Sequence, residues 1–192
     1  MIIYIHGFSS SGFGKKALEF KEYFQDKLIH ISLPTIPFLA INNLEQIIET
    51  FLSLNEKVYL VGSSLGGYYA LYLANKYNLK AVLINPAIKP LNTLSHYEGV
   101  KYIKNYYDNS KFEFTKEHIE SLKKYEVTNL QNPKNIMTLL QKGDEILDYK
   151  ISRNILKDTN IIIEDGGNHS FININRYFHI IEDFIYKFVK YS

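Results

Sequence analysis

The sequence predicts an α/β fold in which a mostly parallel sheet of about six strands is covered by helices on both faces. The first observation is that short apolar runs alternate with longer amphipathic stretches along the 192-residue chain. The second is that the runs are apolar throughout, which is typical of parallel strands buried on both faces. A chain of this length fits a single domain, which we assign to residues 1–192.

The alternation defines the order of the elements. Strands are predicted at 2–5, 29–33, 58–61, 81–84, 136–140 and 161–163. Helices are predicted at 15–27, 41–54, 68–77, 115–125, 151–156 and 177–189. We expect the helices to connect the strands by right-handed crossovers, as parallel sheets do.

One segment, between Pro90 and Pro133, interrupts the alternation. It contains no predicted strand and one predicted helix, which starts at Thr115. Thr115 followed by His118 does not match a capping box, but Thr115 with Glu117 in the first turn still suits a helix start. Because long insertions between sheet strands often cover a substrate, we expect residues 91–132 to form a cap within the domain.

Aromatic side chains make up 15% of the chain, and a group of them falls in this insertion. As part of a cap, they would line an apolar pocket for an acyl chain, with phenol groups at its wet rim. Alternatively, they pack the insertion onto the body of the domain. The group consists of Tyr97, Tyr102, Tyr106, Tyr107, Phe112 and Phe114.

The composition narrows the class of protein. A net charge of +2 with scattered basic residues gives no reason to expect a nucleic-acid partner. The absence of cysteine excludes disulfides, thiolate metal sites and cysteine nucleophiles. The apolar run at the N-terminus is too short for a signal peptide, and no run reaches transmembrane length. We therefore expect a cytoplasmic protein with no membrane span.

The strongest functional signal is Gly62-x-Ser64-x-Gly66, between a predicted strand and a predicted helix. This pattern is typical of the nucleophile elbow of α/β-hydrolases, a tight turn that projects its serine above the sheet. Gly62 and Gly66 are small because strand and helix pack closely there. The Leu65 amide, at the start of the helix, then points to where an oxyanion would form. The alternative is a turn that only docks the helix, whereas neither a P-loop nor a dinucleotide fingerprint fits this spacing.

A serine hydroxyl is a weak nucleophile without a base, and His169 is the best placed of the six histidines. It follows the last predicted strand in a loop with two glycines, which would let the imidazole reach back over the sheet edge. His118 and His179 fall on predicted helices, where a structural or solvated role is more usual. His6 is assigned a structural role in the loop after the first strand.

The supporting acid should lie between the serine and the histidine, since the α/β-hydrolase fold runs in the order Ser…Asp/Glu…His. Asp144 follows the fifth predicted strand, one β–α unit before His169. Because the carboxyl ends of parallel strands share one edge, Ser64, Asp144 and His169 are expected to meet there. The competing acids, which are more typical of helix starts or solvated carboxylates, are Glu145, Asp148 and Asp165.

A second oxyanion donor is expected in the loop after the first strand, which reads His6-Gly7-Phe8-Ser9. Gly7 allows the backbone to turn so that the Phe8 amide faces the nucleophile. The sequence therefore predicts an oxyanion hole formed by the backbone N–H groups of Phe8 and Leu65.

Five segments, spread over most of the chain in matching order, resemble the YqiA-like esterases, a family of small bacterial α/β-hydrolases. The resemblance implies an esterase or thioesterase acting on acyl substrates, with a triad on Ser64, Asp144 and His169. It also implies a sheet that begins at what is the third strand of larger hydrolases. Residues 91–132 match least well, so substrate preference does not carry over. The matching segments are Ile3-Tyr4-Ile5-His6-Gly7-Phe8-Ser9-Ser10, Gly62-Ser63-Ser64-Leu65-Gly66-Gly67-Tyr68, Leu83-Ile84-Asn85-Pro86-Ala87, Gly143-Asp144-Glu145-Ile146-Leu147-Asp148-Tyr149 and Gly166-Gly167-Asn168-His169-Ser170-Phe171.

These residues together predict a serine hydrolase that cleaves carboxylic ester or thioester bonds by two-step acyl transfer. No metal or cofactor is expected, and the expected partner is a small-molecule acyl substrate. An amidase or peptidase with the same triad is an alternative within enzymes. Outside enzymes, the alternative is a non-catalytic α/β-hydrolase-like binding protein, against which the intact Ser–Asp–His set argues.

Overall fold

A six-stranded sheet forms the centre of the molecule. In the computed structural model, which describes residues 1–187, the sheet order is β2-β1-β3-β4-β7-β8 and every neighbouring pair is parallel. This confirms the predicted parallel sheet. The six strands of this sheet are β1 (Ile2–Ile5), β2 (Leu28–His30), β3 (Tyr59–Ser63), β4 (Lys80–Ile84), β7 (Ile136–Gln141) and β8 (Asn160–Glu164). Two short strands, β5 (Ile103–Lys104) and β6 (Lys111–Phe112), form a separate pair.

Helices connect the strands, and short 3-10 turns extend several of them. The α-helices are α1 (Lys15–Phe24), α2 (Pro37–Ser53), α3 (Leu65–Tyr77), α4 (Pro90–Leu94), α5 (Lys116–Ser121), α6 (Tyr149–Ile155) and α7 (Phe178–Tyr186). The 3-10 turns are Gln25–Lys27, Ser95–Tyr97, Leu122–Tyr125, Pro133–Asn135 and Ile174–Tyr177. Within residues 1–187, none of the helices has the length and apolar character needed to span a bilayer.

The core has two layers because alternate residues of each strand point to opposite faces of the sheet. Ile3 and Ile5 of β1 belong to a cluster with buried residues of α2, α3 and the insertion. Ile2 and Tyr4 of the same strand belong to a second cluster with buried residues of α1 and α7. The sheet is therefore covered by helices on both faces, as the continuous apolar runs predict.

Several element boundaries differ from those predicted. The helix predicted at 41–54 is seen over Pro37–Ser53, and it begins at a proline, which is favoured there because the first helical N–H has no partner. The helix after Ser64 starts at Leu65 rather than at 68. The last helix was predicted at 177–189 and is seen over Phe178–Tyr186; positions 188 and 189 lie outside the described residues.

The insertion at 91–132 contains a hairpin that the sequence did not predict. β5 and β6 form an antiparallel pair of two residues each, with Ile103 opposite Phe112. The expectation that Thr115 and His118 form no capping box was also wrong. The Thr115 Oγ1 accepts a hydrogen bond from the His118 amide, and the His118 Nδ1 accepts one from the Thr115 amide. An imidazole nitrogen thus acts as the acceptor that glutamate usually provides.

Candidate active site

The sheet order reverses between β1 and β3, and the predicted site residues gather at this switch point. The chain leaves β1 toward β2 on one side and returns to β3 on the other. Gly7 follows β1 and Ser64 follows β3, and the two lie against each other. A Cβ atom on Gly7 would stand 3.1 Å from the Ser64 Cβ and 3.6 Å from its Oγ. Open parallel sheets bind ligands at such positions.

Ser64 sits in a strained turn between β3 and α3. Its φ of 56° and ψ of −122° lie outside the regions that L-residues favour. The turn is tight, because a Cβ on Gly62 would lie 2.2 Å from the Gly66 carbonyl oxygen and one on Gly66 would lie 2.1 Å from the Ile5 oxygen. This is the geometry of a nucleophile elbow, and strain of this kind is common at functional sites.

The three residues predicted as a triad, which are distant in sequence, form one chain of hydrogen bonds. The Ser64 Oγ lies 3.0 Å from the His169 Nε2. The His169 Nδ1 lies 2.9 Å from one Asp144 carboxylate oxygen and 3.0 Å from the other. The Asp144 side chain is 2% exposed and that of His169 is 18% exposed, so the pair is shielded while the imidazole still reaches the cavity.

The hydrogen bonds fix the roles of the imidazole nitrogens. The Asp144 Oδ1 also accepts hydrogen bonds from the amides of Ile146 and Leu147, at 2.9 and 2.8 Å, which hold the carboxylate in place. A carboxylate only accepts, so the proton lies on the His169 Nδ1. The Nε2 is then free to accept the Ser64 hydroxyl proton, as a general base must.

The loop that carries His169 is held by two buried amide side chains that the sequence analysis did not single out. Asn85 follows β4 and donates to the carbonyl oxygens of Asn168 and His169, at 3.0 and 3.2 Å. Gln141, at the end of β7, accepts from the Asn168 and Ile172 amides, at 3.0 Å each. In the sequence, both residues could have been noticed as polar amide side chains at the end of an apolar strand.

The loop after β1 is fixed by His6. The Leu33 amide donates to the His6 Nε2 at 2.9 Å, so the proton lies on Nδ1 and is donated to the Gly7 oxygen at 2.8 Å. Burial lowers the pKa of His6, which keeps the ring neutral in this arrangement. The imidazole thus has the structural position expected of it, and it supports the turn between Gly7 and Phe8.

Phe8 and Leu65, whose amides are predicted as oxyanion donors, are neighbours of the Ser64 turn, since Leu65 follows Ser64 and Phe8 follows Gly7, which lies against Ser64. Leu65 is the first residue of α3, whose early N–H groups have no partner within the helix. Across residues 1–187, neither amide has a hydrogen-bond acceptor. Both are therefore available to an oxygen atom placed beside Ser64.

A cavity of about 600 Å³ opens beside Ser64 and His169. Of the six insertion aromatics, Tyr97 and Tyr106 line it, whereas Phe114 is buried in the core. The Phe8 ring lies 4.7 Å from that of Phe114, 5.6 Å from that of Phe112 and 5.5 Å from that of Tyr97. Some members of the aromatic group thus line the cavity and others pack the insertion onto the body of the domain; an acyl-chain pocket stays a prediction. Tyr102 and Tyr107 are exposed.

Lys16 lies in the first turn of α1, and the sequence predicts no role for it beyond the helix at 15–27. In the structure its side chain lines this cavity. Its Nζ donates to the Ser63 Oγ at 2.7 Å, next to the nucleophile turn. Burial lowers the pKa of Lys16 to about 8, partly offset by the charges of Glu19 and Asp144. On the other side of Ser63, burial raises the pKa of Tyr4 far above its usual value, so this phenol stays neutral.

The three acids that compete with Asp144 have other contacts. The Glu145 Oε2 accepts from the His169 amide at 2.9 Å and so supports the loop rather than the imidazole. Asp148 caps α6 through a hydrogen bond from the Lys150 amide. Asp165 is exposed and pairs with Lys142. Within residues 1–187, no group of three or more His, Cys, Asp or Glu side chains is placed to hold a metal ion.

Comparison with known proteins places the chain among bacterial relatives of similar length. Residues 1–186 match the model of the uncharacterised protein family UPF0227. The UPF0227 protein YcfP of Salmonella paratyphi A is 27% identical over 191 residues, which cover 96% of this chain and 98% of the relative. The UPF0227 protein VP0969 of Vibrio parahaemolyticus is 24% identical over the same shares of both chains.

Solved structures of α/β-hydrolases share the fold. Est1E of Butyrivibrio proteoclasticus superposes with a TM-score of 0.69 at 13% identity, over 97% of this chain and 89% of Est1E. A monoacylglycerol lipase of Paleococcus ferrophilus gives a TM-score of 0.66 at 17% identity, over 96% and 93%. These matches confirm the predicted α/β-hydrolase fold.

Proposed function

The chain belongs to the uncharacterised protein family UPF0227, and from the geometry of its site we propose that it is a serine hydrolase that cleaves carboxylic ester or thioester bonds. One observation carries the proposal. The Ser64 hydroxyl, the His169 imidazole and the Asp144 carboxylate are joined by hydrogen bonds of 2.9 to 3.0 Å at the switch point of the sheet. A buried carboxylate, an oriented imidazole and a strained serine are the parts that acyl transfer needs.

The mechanism follows from these contacts. The Ser64 oxygen attacks the substrate carbonyl carbon while its proton moves to the His169 Nε2, and the Asp144 carboxylate stabilises the resulting imidazolium. The amides of Phe8 and Leu65 hold the oxyanion. The imidazolium then protonates the leaving alcohol or thiol as the acyl-enzyme forms. Water, deprotonated by the same Nε2, releases the acid and restores Ser64.

The cavity supports a small acyl substrate. Its volume of about 600 Å³ is within the usual range for small-molecule sites. Ile146, Ile172 and Phe171 line it together with Tyr97 and Tyr106. We expect activity on acyl groups of short to medium length.

A cytoplasmic location stays a prediction from the sequence.

The first experiment is covalent labelling with a fluorophosphonate probe, which reacts with activated serines. We expect the wild-type protein to be labelled and Ser64→Ala to remain unlabelled, because the probe needs a nucleophile with a neighbouring base. Ser170→Ala, which removes a different hydroxyl of the cavity wall, is the matched control and should be labelled like the wild type. Equal labelling of wild type and Ser64→Ala would refute the proposal and favour the binding-protein alternative.

The second experiment measures the contribution of the acid on 4-nitrophenyl butanoate. Asp144→Asn should lower kcat by about 10⁴, because an amide favours the wrong imidazole tautomer. Asp148→Asn is the control, since asparagine also caps helices and the residue lies outside the Ser64–His169–Asp144 chain. A loss of less than about tenfold in Asp144→Asn would contradict the assigned role of Asp144.

A further inference from the structure

Lys16 brings a positive charge to the wall of the proposed active site. It lies in the first turn of α1, and its side chain crosses to the end of β3, where the Nζ donates to the Ser63 Oγ at 2.7 Å. Ser63 precedes the nucleophile Ser64, and Lys16 lines the same cavity as Ser64 and His169. The ammonium therefore belongs to the wall of the cavity that Ser64 and His169 also line.

Within residues 1–187, no direct ion pair neutralises this charge. The nearby carboxylates have other partners, since Glu19 pairs with Lys15 at 3.8 Å and Asp144 binds His169. No carboxylate oxygen of residues 1–187 comes within the 4.0 Å of an ion pair with the Lys16 Nζ. An ammonium has three N–H donors, and in the described part of the chain only the neutral Ser63 hydroxyl accepts from it.

Such an arrangement is costly for the folded protein unless something else pairs with the ammonium. Removing an ammonium from water without a counter-charge disfavours the charged form, which explains the lowered pKa. At pH 7 the group is still mostly charged, because its pKa of about 8 is above that value. The first turn of α1 contains no acidic residue and adds potential of the same sign.

We propose that the Lys16 ammonium selects substrates that carry a carboxylate close to the scissile ester or thioester bond. The inference rests on the proposed hydrolase function and deepens it by naming the substrate class. A carboxylate fits better than a phosphate dianion for two reasons. Within residues 1–187, Lys16 is the one cation that donates to Ser63, and Lys15, the other lysine of the cavity wall, pairs with Glu19. The Glu145 carboxylate in the same wall disfavours a second negative charge on the substrate.

The test compares charged and neutral substrates of equal shape. On the acyl side, 4-nitrophenyl hydrogen glutarate is compared with 4-nitrophenyl 5-oxohexanoate, in which a methyl ketone replaces the carboxylate. On the leaving-group side, 4-carboxyphenyl butanoate is compared with 4-acetylphenyl butanoate. The pair that shows the larger preference identifies which part of the substrate carries the carboxylate.

We expect Lys16→Met to lower kcat/KM for the charged substrate of one pair by about 10- to 100-fold, mainly through a higher KM. A hydrogen bond to a charged group contributes a binding free energy that corresponds to a change of this size. The neutral partner should lose less than about threefold. Lys16→Arg should retain part of the preference. Lys157→Met is the control, because Lys157 is exposed and lies outside the cavity wall, so its loss should leave the ratio unchanged.

The outcomes separate the two proposals. If the neutral esters are cleaved in a Ser64-dependent way but Lys16→Met lowers both members of each pair equally, Lys16 only supports Ser63 and the inference is wrong. If the wild type cleaves none of the esters, the hydrolase proposal fails. In that case titration calorimetry of the four esters with Ser64→Ala, with and without Lys16→Met, still decides the role of Lys16. If Lys16→Met selectively loses binding of the two carboxylate esters, the proposed role of Lys16 is supported. If the proteins with and without Lys16→Met bind the four esters equally, that role is overturned.

Discussion

Gly7 sets the distance between the loop after β1 and the nucleophile turn. A Cβ on Gly7 would lie 3.1 Å from the Ser64 Cβ and 3.2 Å from the Ser63 oxygen, so even one methyl group would push the two segments apart. The Phe8 amide is the next group along the chain. Its position relative to Ser64 therefore depends on the absence of a side chain at Gly7.

Gly7→Ala should lower kcat on 4-nitrophenyl butanoate by about 10- to 100-fold while changing KM little, because the Phe8 amide would move away from the developing oxyanion. Gly14→Ala is the matched control, since Gly14 also lines the cavity but its Cβ would meet the Ser11 oxygen at 3.3 Å and the Ser10 Oγ at 3.6 Å and would not press on the nucleophile turn. Wild-type kcat in Gly7→Ala, with the fold unchanged by circular dichroism, would remove Phe8 from the proposed oxyanion hole.

Residues that stand in a sequence motif could be identified from the sequence, whereas a residue whose role depends on its contacts in the folded protein could not. Ser64 stands in a five-residue motif, and chain order directs the search to Asp144 and His169. Lys16 follows Lys15 on a helix with apolar spacing, so it reads as solvated in the sequence. Only the fold shows that its side chain turns toward Ser63, because that contact spans 47 positions.

Among the elements, the ends of β4, β7 and β8 together control the histidine loop. Gln141 joins them, since its Oε1 accepts from the Asn168 and Ile172 amides and its Nε2 donates to Glu164 and to the Ile172 oxygen. Gly167, with a φ of 77°, lies directly against this side chain. The orientation of His169 thus depends on an amide that does not touch it.

Gln141→Met should lower kcat by about 10- to 100-fold with a smaller effect on KM, because a loosened loop no longer holds the imidazole toward Ser64. Gln141→Glu keeps the shape but places a second carboxylate against Glu164 and the Ile172 oxygen, so we expect a loss of kcat at least as large. Gln131→Met, at an exposed position, is the control for the substitution itself. If both Gln141 variants fold and retain full kcat, Gln141 is not a positioning residue.

The long helices and strands were predictable because their apolar residues recur at a regular spacing, whereas the short elements of the insertion were not. β5 and β6 have two residues each, which is too short for an alternating pattern to appear. The cap at Thr115 was missed because the usual signature asks for Glu or Gln, and an imidazole nitrogen accepts equally well. Pro37 was ambiguous, since proline both follows strands and starts helices.

For the molecule as a whole, we expect burial of the Lys16 ammonium without an ion pair to lower the free energy of unfolding. The pKa of Lys16 is lowered from 10.5 to about 8, so the unfolded chain binds the proton more tightly than the folded protein does. Stability therefore rises with pH between about 8 and 10.5 as the folded state gives up this proton first. The charged groups that face the ammonium, Glu19 and Asp144, reduce the effect without removing it.

Lys16→Met should raise the free energy of unfolding at pH 7 by about 1 to 2 kcal/mol, a value reduced from that of full burial because the side chain is partly exposed to solvent. The gain should shrink as pH rises from 8 toward 10.5, which urea unfolding at several pH values would measure. Lys15→Met should change stability by less than about 0.5 kcal/mol. A Lys16→Met protein less stable than the wild type at pH 7 would mean that the ammonium stabilises the fold.

The hairpin of the insertion is bonded to the loop that carries Phe8. The Tyr106 amide donates to the Ser9 oxygen at 2.8 Å, and the Asn105 side chain donates to the Ser10 oxygen at 3.2 Å. Since Phe8 also packs on Phe112 and Phe114, residues 8–10 and the insertion form one unit. A chimaera that exchanges the insertion with that of a relative should therefore transplant residues 8–10 as well, and selection for a new substrate would alter both segments in concert.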